Sequence, residues 1–258
     1  MEFGNLEMNK ASILKAASKS GFNLEFNTKK IFSEKGLKTE INQLYIYNDT
    51  PIEIDVVASC QTPKMYFVVK CKGSESTSCL ILVKDAVSNG KMIIARSNFL
   101  DSKARLVGFN STNPIPSSFT GDFYRNNSND LIKLSKNDQE NNFYKAQQQI
   151  KDAILSFYQC IEDNAEDFYY MVPLIVTNSQ IWAVDYNNDE PECSKYKWFL
   201  QKIKLDSRFK LSANNIPSTS LLIPIVNINY LEEFVTLALR LKADPGQLFP
   251  FDIEGIEE

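Results

Sequence analysis

The sequence predicts an α/β fold, and three observations predict it. Two segments, 52–58 and 65–73, are rich in β-branched and aromatic residues, and Thr62-Pro63-Lys64 between them cannot easily continue a strand. Apolar residues recur at helical spacing over 22–34, 143–161 and 230–241. Further strand-like runs separate the last two of these helices, so both element types recur along the chain. At 258 residues, 43% hydrophobic and 23% charged, the chain is long enough for a sizeable core. No composition shift marks a linker. One domain over 1–258 is expected, with its core motifs at 21–95 and 143–161 and an elaborated α/β half at 171–241.

The elements follow in order. Ile13, Leu14 and Ala17 give 9–18 a short helical pattern. The 22–34 helix ends at Gly36, and at about 100° per residue it places Phe22, Glu25, Lys29 and Phe32 on one side. Glu25 therefore rides the apolar stripe; the bland explanation is a boundary glutamate with a packed stem and a solvated head. Residues 37–47 alternate as a strand, and Asn48-Asp49-Thr50-Pro51 turns it into the hairpin. Strict alternation puts Glu53 and Asp55 on one face of the first hairpin strand and Ile52, Ile54 and Val56 on the other. On the second strand Lys70 and Lys72 share a face, opposite Phe67, Val69 and Cys71. An acid pair beside a lysine pair, at the ends of adjacent apolar strands, is not an ordinary solvated face.

Beyond the hairpin, 79–83 reads as a strand and 85–90 as a turn. Residues 91–95 read as a strand extending the sheet after a crossover. Residues 97–142 lack periodicity and read as a long irregular connection with room for a hairpin. In the 143–161 helix, Ala146, Ile150, Ala153, Ile154, Phe157 and Ile161 form the apolar stripe, with Gln147, Gln148 and Gln149 around it. Strands are expected at 171–177, 180–186, 196–203 and 220–228, a helix at 230–241, and a fraying acidic tail from Asp252.

Absences narrow the chemistry. The chain has no histidine, which removes Ser-His-Asp and Cys-His catalysis and the common zinc sites. It has no glycine-rich nucleotide loop. Carboxylates, lysines, hydroxyls and thiols remain, and Mg²⁺ or Mn²⁺ suits such hard oxygen ligands. A net charge of -4 means that any nucleic-acid contact must be a local patch. No apolar run approaches the ~20 residues of a membrane helix, and a cytoplasmic protein with no membrane partner is expected. Five cysteines without CxxC spacing read as reduced thiols.

A helix carrying Glu25, a strand ending Ile54-Asp55-Val56-Val57, and a strand ending Val69-Lys70-Cys71-Lys72-Gly73 together resemble the PD-(D/E)xK nucleases, the restriction-endonuclease-like superfamily, and most closely its Mrr-type and RecB-type members. The likeness covers residues 21–73, with Gln147 to Gln149 as a fourth element. It implies a restriction-endonuclease-like core, a mixed sheet with flanking helices. It implies Asp55 and Glu25 as metal ligands for Mg²⁺ or Mn²⁺, Lys72 as the lysine serving the attacking water, and Gln149 or a neighbour orienting substrate or lysine. The physics suits those types, since a metal stabilises charge developing on phosphate and a lysine can position water.

The sequence departs from that pattern at one place: Lys70 stands where the family carries its second strand acid. A fixed positive charge near a metal opposes it. Glu53 is the first candidate to replace that acid and Glu75 the second; an exposed Glu53 paired with Lys70 is the plain alternative. The resemblance implies a metal-dependent nuclease cutting phosphodiesters, DNA foremost, in a setting such as bacterial or phage defence, possible as a homodimer or with a partner protein. The alternatives are a degenerate nuclease fold serving as a nucleic-acid- or protein-binding module, with Lys70 and Lys72 contacting phosphate, and an α/β scaffold with structural charges.

Overall fold

The computed structural model of the chain describes residues 9, 12, 22–61, 64–73, 78–96, 105–127, 130–134, 143–164, 169–204, 212–213, 216–217 and 220–240. Apart from Asn9 and Ser12, the expected 9–18 helix lies outside them, as do Glu75 and the acidic tail. The protein is a mixed α/β fold built on two mixed sheets.

Helix α1 (Phe22–Glu34) leads into strand β1 (Lys38–Tyr47) through Gly36, whose φ of 77° is one that L side chains rarely adopt. The Gly36 amide donates to the Ser33 carbonyl and the Leu37 amide to that of Phe32, closing the helix end as a Schellman motif. Leu24, Thr28 and Phe32 form the buried stripe. The expected stripe is displaced: Phe22 is 57% exposed, and Glu25 borders the buried face. Asn48 and Asp49, both with positive φ, make a two-residue turn into β2 (Thr50–Gln61), so Thr50 and Pro51 belong to the strand. Strand β3 (Lys64–Lys72) completes an antiparallel meander, as expected from the sequence.

The next stretch is strand-rich where the sequence suggests irregularity. After β4 (Ser78–Val83), β5 (Asp85–Arg96) absorbs the expected 85–90 turn and pairs with β6 (Arg105–Ser118), with two register shifts. Then come β7 (Gly121–Asn127) and β8 (Asp130–Lys133). These strands are polar and bulged, so period-2 alternation is weak and pairing with neighbours decides their state. Helix α2 (Phe143–Asn164) crosses to β9 (Tyr169–Thr177), followed by β10 (Gln180–Asp185), β11 (Glu192–Tyr196) and β12 (Trp198–Lys204). The short pair β13 (Ser212–Ala213) and β14 (Ile216–Pro217), strand β15 (Ser220–Asn227) and helix α3 (Leu231–Arg240) complete the described chain.

The larger sheet has eight strands in the order β1-β2-β3-β9-β15-β12-β6-β5. β9 lies parallel to β3, and its other edge pairs with β5 at residues 169–171 and with β15 at 175–177. The 91–95 segment thus joins the sheet, through β9 and β6. A second sheet runs β11-β10-β4-β7-β8. Alternation along β9 sends Tyr169, Met171 and Ile175 to one face of the large sheet, where α2 and the second sheet cover them. Val172, Leu174 and Val176 go to the other face, under α1 and α3. Phe157 of α2 packs edge-on against Tyr45 and Tyr66, which seats that helix on the meander. Among the described residues no helix is long and apolar enough to cross a membrane.

A buried polar chain ties the carboxyl ends of the central strands. Thr177 Oγ1 donates to the Lys72 carbonyl at 2.8 Å and accepts from the Ser179 amide at 3.1 Å. Asn227 Nδ2 donates to the Ser179 carbonyl at 2.8 Å, and the Ser78 and Ser179 hydroxyls meet at 3.0 Å. These bonds fix the end of β3, where Lys72 stands. Asn227→Ala should lower stability by about 1–3 kcal/mol, because it strips a buried carbonyl of a donor. A urea midpoint that falls with an unchanged m value is the expected reading.

Candidate functional site

The site lies where β1 and β2 lose their regular pleat, beside the end of β3. Between the pairs Ile41–Val56 and Gln43–Ile54, Asn42 stands opposite Asp55. Asn42 has φ of 51°, a left-handed conformation that asparagine tolerates better than most residues. Ile41 faces α1, yet Tyr45, of the same parity, faces α2. Ile54 and Val56 part in the same way. Side-chain alternation therefore slips on both strands at one level, which corrects the expectation that Ile54 and Val56 share a face. The β2–β3 ladder ends at the Val56–Val69 pair, and the Asp55 carboxylate takes over beyond it: Oδ2 accepts from the Cys71 amide at 2.6 Å.

Asp55 Oδ1 takes a hydrogen bond from the Lys70 ammonium, which also donates to the Glu53 carbonyl oxygen at 3.1 Å. Asp55 is 7% exposed and Lys70 5%, so this is a buried ion pair. The plain alternative for Glu53 takes a different form here: its backbone, not its carboxylate, meets Lys70. Its side chain is exposed.

Glu25 of α1 reaches this cluster. Burial pushes its carboxyl pKa up, and the charges of Asp55 and Glu53 push the same way; Lys70 and a hydrogen bond from the Asn42 side chain oppose them. Its Oε2 is buried without a hydrogen-bond partner. A carboxyl with a raised folded pKa holds its proton more readily folded than unfolded, so stability is lost as pH rises from the ordinary value of 4.5 through the raised one. Glu25→Gln should therefore stabilise the fold at neutral pH and lose that advantage in acid below the ordinary value. Urea titrations at both pH values check it, and equal effects at both would contradict it.

Lys70 and Lys72 have the parity of Val68 on β3 and face α2, whereas Cys71 faces α1, where its sulfur contacts Thr28 Oγ1 at 3.7 Å. Burial pushes the Cys71 thiol pKa up, aided by Asp55, so this thiol stays protonated. Lys72 has its pKa lowered by burial first and then by Lys70 and Lys145, against the pull of Asp55. Among the described residues Lys72 and Lys145 form no ion pair. Lys145 is an exposed residue in the first turn of α2, and Gln149 follows it by one turn with Oε1 buried and unpartnered. Gln147 and Gln148 are half-buried, and Ala146 and Ile150 pack inward as expected.

Glu25, Glu53, Asp55, Lys70 and Lys72 are thus gathered at one end of the meander. Sequence reasoning passed over Asn42 and Lys145. Asn42 left a faint signal, a polar Asn-Gln pair in mid-strand; Lys145 left none beyond its place before the glutamines. The divalent cation implied by the sequence likeness does not fit the residues as they stand. Both Asp55 oxygens are engaged, one by an ammonium, and among the described residues no three acids or cysteines are grouped to hold a metal. The fold and site define a mixed α/β protein with a buried carboxylate–lysine centre. No protein-family model matches the chain, and comparison with curated proteins and with solved structures found no match.

Proposed function

We propose that the chain is a nuclease-fold protein of the PD-(D/E)xK kind that grips a nucleic-acid backbone, DNA in the first instance, where β2 and β3 part. The observation that carries this reading is the pair of cations Lys72 and Lys145, in no ion pair among the described residues, beside an acid held by Lys70. The repulsion that Lys145 adds at Lys72 is relieved by an anion between them, and a backbone phosphate supplies one. The first turn of α2 adds the partial positive charge of a helix N-terminus. The meander, the Glu25 helix packed on it and the pairing of Asp55 with Lys70, near Lys72, support the restriction-endonuclease-like core.

Lys72→Ala and Lys145→Ala should each weaken duplex binding and reduce the slope of log affinity against log salt by about one unit. Lys197→Ala is the control, since Lys197 pairs with Glu233 on another part of the surface. Binding should also weaken as pH climbs through the lowered Lys72 pKa, before an ordinary lysine would respond. Duplex affinity indifferent to both lysines would remove the proposal.

A second reading, phosphodiester hydrolysis, is favoured by one observation. Glu25 carries a desolvated carboxylate with an unpartnered oxygen, close enough to Asp55 and Glu53 to feel their charges, and such acids are typical of reacting sites. Nicking of supercoiled plasmid that Glu25→Gln abolishes would favour it over binding alone.

A further inference from the structure

We infer that the Lys70 ammonium is the site's resident cation, seated among oxygens that would otherwise receive a divalent metal, so that this centre takes up neither Mg²⁺ nor Mn²⁺. The inference deepens the proposed backbone-binding reading by fixing what neutralises the acids of that same site. The ammonium sits on Asp55 Oδ1 and on the Glu53 carbonyl at 3.1 Å, a carboxylate and a carbonyl, the hard oxygen types that such metals use. Asp55 Oδ2 accepts from the Cys71 amide at 2.6 Å, which fixes the carboxylate with Oδ1 on the ammonium. Glu25, on the neighbouring helix, feels Lys70 as an attractive charge and still keeps a buried oxygen without a partner.

An ammonium is a compact point charge with three donors, able to serve several oxygens as a metal would. Being covalently tethered and 5% exposed, it cannot be diluted or chelated away. A divalent ion could enter only by displacing it, and a fixed positive charge at a few ångströms repels such an ion strongly even under generous screening. The wild-type centre is accordingly closed to metal, and removing the Lys70 charge opens it.

The experiment titrates Mn²⁺ alone against the full chain, following the free ion by electron paramagnetic resonance. Wild type should show no saturable site below millimolar concentrations. Lys70→Ala should bind Mn²⁺ on the order of a hundredfold more tightly or better, and adding Asp55→Asn should remove the gain. Lys70→Gln keeps a neutral hydrogen-bonding side chain of similar reach, and should show the same direction with a smaller gain if Lys70→Ala does not fold. A saturable wild-type site that Asp55→Asn abolishes would overturn the inference. So would folded Lys70→Ala and Lys70→Gln proteins that bind no better than wild type. Failure of nucleic-acid binding would leave the Mn²⁺ result unchanged, so the two proposals fail separately.

Discussion

Lys70→Ala should lower the stability of the fold by about 3–5 kcal/mol, the range expected when one partner of a buried ion pair is removed. The reason is the charge left behind. Asp55 is 7% exposed, keeps the Cys71 amide and loses its counter-ion, with the Glu25 carboxyl still nearby. Lys70→Met should cost about as much, although it preserves the apolar stem, because charge and not packing is lost. The double variant Lys70→Met with Asp55→Asn should recover a large part of the loss, since no uncompensated charge then remains. Urea denaturation of wild type, Lys70→Met, Asp55→Asn and the double variant forms the cycle. A Lys70→Met cost within experimental error of zero would show that the pair is too well solvated to organise the site.

Phe157→Ala should cost about 3–5 kcal/mol, as large-to-small changes at buried aromatic positions do. Phe157 is 3% exposed, and its ring meets Tyr45 at 5.2 Å and Tyr66 at 5.3 Å, joining α2 to two strands of the meander. The consequence extends to the site. Lys145 is carried by the same helix, so loosening α2 moves one cation away from Lys72. Duplex affinity of the folded variant should fall, whereas Phe234→Ala, in the opposite layer beneath Trp198, should destabilise comparably and leave affinity alone. Equal affinity losses in both variants would point to general loosening in place of a specific placement of α2.

Much of this site could be read from the chain, and the limits are physical. Period-2 alternation and turn chemistry placed β1, β2 and β3, and the apolar stripe placed α2, because those elements bury one face each. Alternation failed at Asn42 and Asp55, where the strands slip out of pleat and turn a carboxylate toward the neighbouring strand. No local pattern encodes such a slip; it depends on two strands deforming together. Most of the strand structure between 85 and 133 was illegible for another reason. Polar, bulged strands such as β5 and β6 owe their state to partners distant in sequence. Glu25, Asp55, Lys70 and Lys72 stood out as chemistry-bearing residues, but their pairing did not. Only the structure shows Lys70 answering Asp55 while Lys72 is left with Lys145.

The most direct measurement of the central claim is duplex-DNA binding by wild type, read by fluorescence anisotropy in EDTA and in Mg²⁺ at matched ionic strength, with the recovered DNA run on a gel. The account predicts equal affinity in both buffers and intact DNA, because Lys70 already supplies the positive charge. Cleavage that appears only with Mg²⁺ and disappears in Asp55→Asn would contradict it.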